Sequence, residues 1–165
     1  MCTIDGYNAE TMTDNWAAKY YGPQAVSGLG EPPHNCTLFV AWMLARHGLR
    51  DPGRSWGDAY QWGDTLRAYL SRTPTVGSVA WYALGRLGGG DGHVAWVARV
   101  NRRAHEVFLV SDNYGGSVVG STSSGWTPFG APSGYIDLQR LERPRHGSTV
   151  TRAMVARVRA ATPGA

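Results

Sequence analysis

The chain has 165 residues, 42% of them hydrophobic and 11% aromatic, which is typical of one globular domain with a sizeable core. Its net charge of +4 favours anionic partners such as nucleic acid, a membrane surface or an anionic cell wall. The arginines are not interleaved with aromatic residues in a nucleic-acid-binding motif, and no stretch approaches the roughly twenty apolar residues of a membrane span. We therefore expect neither nucleic-acid binding nor membrane insertion. Two cysteines, Cys2 and Cys36, argue against a disulfide framework.

The first half of the chain has helical patterns. Residues 8–21 predict an opening helix, and a Gly- and Pro-bearing connection follows over residues 22–33. The next helix carries Cys36 in its first turn and is apolar around most of its circumference, so we expect it to be central and to end at Gly48. Residues 57–70 predict one or two short helices before the break at Thr73-Pro74.

The second half has strand patterns. Residues 79–82, 94–100 and 107–110 are rich in β-branched and aromatic side chains and predict three antiparallel strands. Residues 114–134 are rich in Gly and Ser and predict a long loop, and a last strand is expected at 135–138. Helices followed by strands indicate an α+β fold.

The sequence after Leu138 is rich in arginine. We predict a catalytic domain over residues 1–139 and a basic extension, helix or linker, over 140–165. The N-terminus has no basic region followed by an apolar run, so we predict no signal peptide. An extracellular role would then need phage delivery, effector delivery or a longer parent protein.

Cys36 and His93 are the candidate reactive pair. A cysteine at a helix start lies near unpaired backbone N–H groups and the positive end of the helix dipole, which predicts a pKa below the free value of about 8.5. His93 begins a predicted strand, and a histidine there is a candidate base for a thiol nucleophile. Cys36 alone is also compatible with a small buried hydrophobe, and His34 is a rival base that we place at the rim.

Four segments in chain order resemble the CHAP domains, which are cysteine- and histidine-dependent amidohydrolases/peptidases with a papain-like α+β fold. Residues 35–41 resemble the helix that carries the nucleophile, and residues 57–63 resemble the Gly-Asn-Ala-x-x-Trp segment, with Asp58 in place of Asn. Residues 73–81 resemble the Pro-x-x-Gly strand opening, and residues 92–97, Gly-His-Val-Ala-Trp-Val, are the most specific match. The resemblance implies N-terminal helices, with the nucleophile helix packed on an antiparallel sheet.

The resemblance implies a third catalytic position after the third strand. The family often has a carboxylate and an asparagine separated by one residue, whereas here Asp112 and Asn113 are adjacent and point to opposite faces of a regular strand. We favour Asn113, with Asp112 as the alternative. Trp126 in the Gly/Ser-rich loop and Asn35 beside the nucleophile are candidate substrate-binding residues. No zinc spacing or calcium loop occurs, so we expect no metal and no cofactor.

The resemblance implies a cysteine amidase or endopeptidase that cleaves amide bonds in peptidoglycan at the bacterial cell wall. Its biological setting would be a phage lysin, a wall-remodelling enzyme or a delivered antibacterial toxin. Two alternatives stay open: a noncatalytic wall-binding domain with the same fold, and the same chemistry on an amide outside the wall. The sequence does not indicate an oligomeric state.

Overall fold

A computed structural model describes residues 35–48, 56–87, 90–114 and 122–141. The predicted opening helix at residues 8–21, the connection at 22–33 and the basic extension beyond residue 141 lie outside these ranges. No helix in the described ranges is long and apolar enough to cross a lipid bilayer.

Helix α1, Cys36–Arg46, is the central helix that the sequence predicts. Asn35 caps it: its backbone is extended, and its side-chain oxygen accepts a hydrogen bond from the Thr37 N–H at 2.9 Å. Nine consecutive residues from Cys36 to Leu44 are buried, so the helix is enclosed on all sides near its N-terminus. It ends at His47, and Gly48 follows with a φ of +68°.

Short helical segments lead from α1 to the sheet, as predicted for residues 57–70. A 3₁₀ turn spans Ala59–Gln61, helix α2 spans Trp62–Thr65, and a second 3₁₀ turn spans Arg67–Tyr69. At the first of these turns the Asp58 N–H donates to the side-chain oxygen of Gln61 at 2.8 Å, and the Gln61 N–H donates to the backbone oxygen of Asp58 at 2.9 Å.

A six-stranded antiparallel sheet follows, and a 3₁₀ helix over Leu138–Leu141 comes after its last strand. Its strands are β1 Leu70–Ser71, β2 Val79–Tyr82, β3 His93–Asn101, β4 Glu106–Asp112, β5 Thr122–Pro128 and β6 Gly134–Ile136. Their spatial order is β1-β6-β2-β3-β4-β5. Strands β2, β3, β4 and β6 correspond to the four predicted strands, which confirms that part of the α+β prediction.

Strand β5 corrects the prediction of a long loop over residues 114–134. It pairs with β4 over its full length, from Glu106↔Pro128 to Asp112↔Thr122. Its sequence, Thr-Ser-Ser-Gly-Trp-Thr-Pro, has the small polar residues of a turn, because β5 is an edge strand of the sheet with little apolar surface to bury. Pairing with the neighbouring strand therefore overrides the local propensity.

The core has two parts, one on each face of the sheet. On one face α1 packs against Val94, Trp96 and Val110. On the other face Ala95, Val97 and Leu109 join a cluster with residues of β2 and β6. This alternation along β3 follows the two-residue period of a strand that is buried on both faces. The papain-like arrangement stays a prediction, since the N-terminal helices that it implies fall outside the described ranges.

Candidate functional site

Cys36 occupies the first position of α1, where the sequence predicts the nucleophile. Its side chain is only 9% exposed and packs within the cluster between the helix and the sheet. Backbone groups of Val94 and Thr37 hydrogen-bond to the sulfur, so the thiol lies against the start of β3 as well as against its own helix turn. The structure therefore brings Cys36 next to the backbone of the residue that follows His93.

The protonation state of Cys36 differs from the prediction. Burial raises the pKa of the thiol to about 11, and the nearby charge of Asp112 acts in the same direction. Hydrogen bonds from the backbone of Val94, Thr37 and Cys36 lower the pKa but do not compensate for the burial. The expected thiolate is thus a neutral thiol in this structure, because desolvation outweighs the helix-start effect.

His93 is the first residue of β3 and is held there by the turn before it. Gly92 has a φ of +69°, and a Cβ at this position would lie 2.7 Å from both the Tyr60 nitrogen and the Tyr82 oxygen. Only glycine fits this close approach without strain. His93 pairs with Tyr82 across β2 and is 4% exposed, and burial lowers its pKa to about 4. The imidazole is therefore neutral at pH 7.

The β3–β4 ladder ends just before the candidate site. The pairs run from Asn101↔Glu106 to Trp96↔Val110, whereas His93 and Val94 pair only with β2 in the described sheet. The β4 side of Val94 is consequently open to the Cys36 thiol, which hydrogen-bonds to its backbone. The nucleophile candidate lies where two strands of the sheet separate.

A cavity of about 250 Å³ adjoins His93. Tyr82, Ala95, Leu109 and Ser111 line it along the sheet, and the remaining lining residues are Tyr114, Ser124, Gly125, Trp126 and Thr127. None of these residues carries a formal charge at neutral pH. The Nε2 atom of His93 is buried and has no hydrogen-bond partner among the described residues. The cavity and this nitrogen together leave room for a polar group beside the imidazole.

Asp112 and Asn113 lie at the end of β4, as the sequence predicts, in different environments. Asp112 is fully buried, and its charge acts on the Cys36 thiol. Asn113 is half-buried with a φ of +55°, a left-handed conformation that ends the strand. Neither side chain is hydrogen-bonded to Nε2 of His93 in this structure, because that nitrogen has no partner in the described ranges.

Trp126 and Asn35 were predicted as substrate-binding residues. Trp126 is 45% exposed and borders the cavity, but its indole packs edge-on against Phe108 and lies 5.3 Å from the guanidinium carbon of Arg99. Asn35 uses its side-chain oxygen to cap α1, accepting from both the N–H and the hydroxyl of Thr37. Both bonds use the side-chain oxygen, and neither uses the NH₂ group.

Two tyrosines beside His93 were not predicted from the sequence. The ring centroid of Tyr82 lies 6.0 Å from that of His93, and Tyr114 meets the imidazole edge-on at 5.3 Å. The sequence offers only a partial signal for Tyr82: it ends one predicted strand and His93 begins the next, but ten residues separate them, which is too long a connection to fix their register. The conformation that brings Tyr114 back over His93 depends on Asn113 and has no sequence signature.

The described side chains do not include a cluster of three or more His, Cys, Asp or Glu residues that could hold a metal ion.

Comparison with solved structures finds similarity to a crystal structure of an N-acetylmuramoyl-L-alanine amidase from Staphylococcus aureus. The TM-score is 0.56 at 25% sequence identity, and the alignment covers 64% of this chain. The chain spans only 30% of the length of that protein. A search of curated protein sequences gives no significant match.

The family comparison covers the candidate site itself. The CHAP domain model matches residues 26–113, which include Cys36, His93, Asp112 and Asn113 and make up more than half of the chain. This match confirms the resemblance seen in the sequence, and the chain belongs to the CHAP domain family.

Proposed function

We propose that the chain is a cysteine hydrolase that cleaves amide bonds in peptidoglycan, either as an N-acetylmuramoyl-L-alanine amidase or as an endopeptidase. The observation that carries the proposal is the arrangement at the start of β3. There the thiol of Cys36 lies against the backbone of Val94, directly after His93. Family membership and the amidase with a similar structure support the substrate class.

His93 serves as the base for Cys36. The resting pair is neutral, because burial raises the pKa of the thiol and lowers that of the imidazole. Proton transfer from sulfur to nitrogen therefore accompanies attack on the amide carbonyl rather than preceding it. Nδ1 is the imidazole nitrogen nearer to the His93 backbone, which continues into Val94 beside the thiol. We assign Nδ1 as the nitrogen that accepts the proton of the thiol, so that the hydrogen of the neutral ring is on Nε2.

The remaining steps follow from the residue types. The imidazolium donates its proton to the departing amine, which leaves a thioester on Cys36, and water hydrolyses the thioester. The Cys36 N–H at the helix start is the first candidate donor to the oxyanion, and the Val94 N–H is a second, since its backbone already hydrogen-bonds to the sulfur.

Asn113 is our first candidate for the residue that orients His93, and Asp112 is the second. Nε2 is the nitrogen left for an orienting hydrogen bond, and it is buried without a partner among the described residues. An asparagine carbonyl would accept from Nε2–H and fix the tautomer without competing for the proton. We expect Asn113→Ala to lower kcat more than Asp112→Asn does. The opposite order would favour Asp112.

Trp126 and Asn35 are the candidate substrate contacts. Trp126 is partly exposed and is among the residues that line the cavity, and Asn35 precedes the nucleophile in the chain. The site of action is the bacterial cell wall, reached by secretion, by phage or as a delivered effector. This localisation rests on the proposed substrate.

The experiment that tests the function is digestion of purified sacculi with wild-type protein and Cys36→Ala. We expect wild type alone to release new amino groups, and mass spectrometry of the fragments to identify the bond from its new termini. Release by both proteins, or by neither, would contradict the proposal.

A noncatalytic wall-binding domain is the second candidate. The buried, neutral thiol of Cys36 favours this alternative, because a cysteine that does not take part in catalysis has no need to ionise. This alternative predicts that the protein pellets with sacculi, that Cys36→Ala pellets equally well, and that neither protein releases amino groups.

A further inference from the structure

We propose that Tyr82 and Tyr114 form an aromatic clamp that fixes the ring plane of His93, so that both tyrosines are positioning residues for the hydrolysis. The inference rests on the proposed function for its catalytic consequence. The clamp itself can be tested without a substrate.

Tyr82 holds one side of the imidazole. It is the direct cross-strand partner of His93 in the β2–β3 pair, so both side chains project from the same face of the sheet. The two rings lie 6.0 Å apart between centroids, with an interplanar angle of 53°. Tyr82 is 2% exposed, and burial raises the pKa of its phenol, so it stays a neutral ring. The sheet register thus fixes the position of this contact.

Tyr114 covers another side. Its ring meets that of His93 at a centroid distance of 5.3 Å and an angle of 71°, the edge-to-face geometry that aromatic pairs prefer. The contact depends on the left-handed backbone of Asn113, which turns the chain just before Tyr114. Tyr114 is 43% exposed although His93 beneath it is 4% exposed, as expected for a side chain that shields the imidazole from solvent.

The two ring contacts restrict the orientation of His93, whose Nε2 atom makes no hydrogen bond to a described residue. Because Nε2 is buried without a hydrogen-bond partner in the described ranges, no hydrogen bond at that nitrogen fixes the ring here. The titratable groups whose rings contact His93 are Tyr82 and Tyr114, and the charge of Asp112 acts on Cys36 on the α1 side of the sheet. A ring held in a fixed plane keeps its nitrogens aimed at fixed points, which is what proton transfer in the transition state requires.

The exposed tyrosine gives the sharper test, because its replacement removes little core packing. We would compare Tyr114→Ala with Tyr114→Phe, which keeps the ring, and with Val76→Ala, which shortens an exposed apolar side chain far from His93 in the chain. The first readout is the titration of His93 by NMR, with its resonance assigned through His93→Gln. We expect Tyr114→Ala to move the pKa of His93 toward its ordinary value as water reaches the ring, and both controls to leave it unchanged.

The second readout is hydrolysis of sacculi. Tyr114→Ala should lower kcat by about tenfold with little change in KM, while Tyr114→Phe stays within about twofold of wild type. Tyr82→Phe should also retain activity, because only the ring is needed, and Tyr82→Leu should lower kcat. Thermal unfolding of each variant separates a loss of positioning from a loss of fold.

The outcomes distinguish the two proposals. If wild type does not hydrolyse sacculi but the His93 titration moves in Tyr114→Ala and not in Tyr114→Phe, the proposed function fails and the clamp stands. If the titration is the same in all variants, or if Tyr114→Phe behaves like Tyr114→Ala, the clamp is overturned.

Discussion

Cys36 is subject to two opposing influences, and their balance decides its chemistry. Backbone hydrogen bonds lower the pKa of the thiol, while burial between α1 and the sheet and the charge of Asp112 raise it to about 11. The sequence identifies the helix start, because the capping pattern is local. It does not reveal the burial, which depends on how the helix and the sheet pack together.

The pH dependence of alkylation tests this balance. We expect the rate of Cys36 modification by iodoacetamide to rise by about tenfold per pH unit between pH 7 and 10, because only the small thiolate fraction of a high-pKa thiol reacts. Peptide mapping by mass spectrometry would separate Cys36 from Cys2. A rate that is already constant from about pH 5 would show a thiolate–imidazolium pair and contradict the neutral resting state.

Asn35 stabilises helix α1 as its N-cap residue. Its side chain caps α1 through two hydrogen bonds to Thr37, at 2.9 Å to the N–H and 2.8 Å to the hydroxyl. We expect Asn35→Ala to lower the free energy of unfolding by about 1 kcal/mol, as loss of a helix cap does. Asn35→Asp should retain the stability, because aspartate accepts the same bonds. Urea unfolding measures both variants, and an unchanged midpoint in Asn35→Ala would contradict the capping role.

At the scale of the element, the turn before β3 determines where His93 lies. Gly92 has positive φ and approaches the backbone of Tyr60 and Tyr82, so a methyl group there meets atoms that cannot move independently. We expect Gly92→Ala to cost at least about 1–2 kcal/mol of stability from the left-handed conformation alone. The rate at which this variant hydrolyses sacculi should fall by more than its loss of stability explains, because His93 shifts with the start of β3.

The matched control is Gly85→Ala. Gly85 also has positive φ, 73°, but a Cβ there meets no atom within 4 Å. Both variants therefore carry the backbone strain, and only Gly92→Ala carries the collision beside His93. Equal losses of activity in the two variants, measured at equal fractions folded, would contradict the assigned role of Gly92.

Strands and helices differ in how far the sequence predicts them. Helix α1 and strands β2, β3 and β4 have continuous apolar or β-branched patterns, since both faces of the sheet are buried around them. Strand β5 has no such pattern, because its pairing with β4 rather than its own side chains makes it a strand. The same limit applies to Tyr114, whose position follows from a tertiary turn.

At the scale of the whole molecule, the buried histidine links folding to pH. Burial lowers the pKa of His93 from 6.5 to about 4, so the unfolded chain binds a proton more readily than the folded one between these values. The contribution of His93 to the free energy of unfolding is fully present above about pH 6.5. It declines by about 3 kcal/mol in all as the pH falls toward 4.

Unfolding by urea across pH 4–7 measures this dependence. We expect wild type to lose stability on acidification and His93→Gln to lose about 3 kcal/mol less over the same range, whatever its absolute stability. Parallel curves for the two proteins would contradict the burial of an uncharged imidazole.

The burial of Cys36 also affects how the protein withstands oxidants. A thiol that is 9% exposed and has a raised pKa offers peroxide little thiolate, so the first step toward sulfenic acid is slow. In millimolar hydrogen peroxide, we expect the Cys36 thiol to have a longer half-life than the thiol of free cysteine under the same conditions. Sulfenic-acid probes should label Cys36 slowly. A thiol held in this form resists oxidation in the resting protein and reacts only once it is deprotonated.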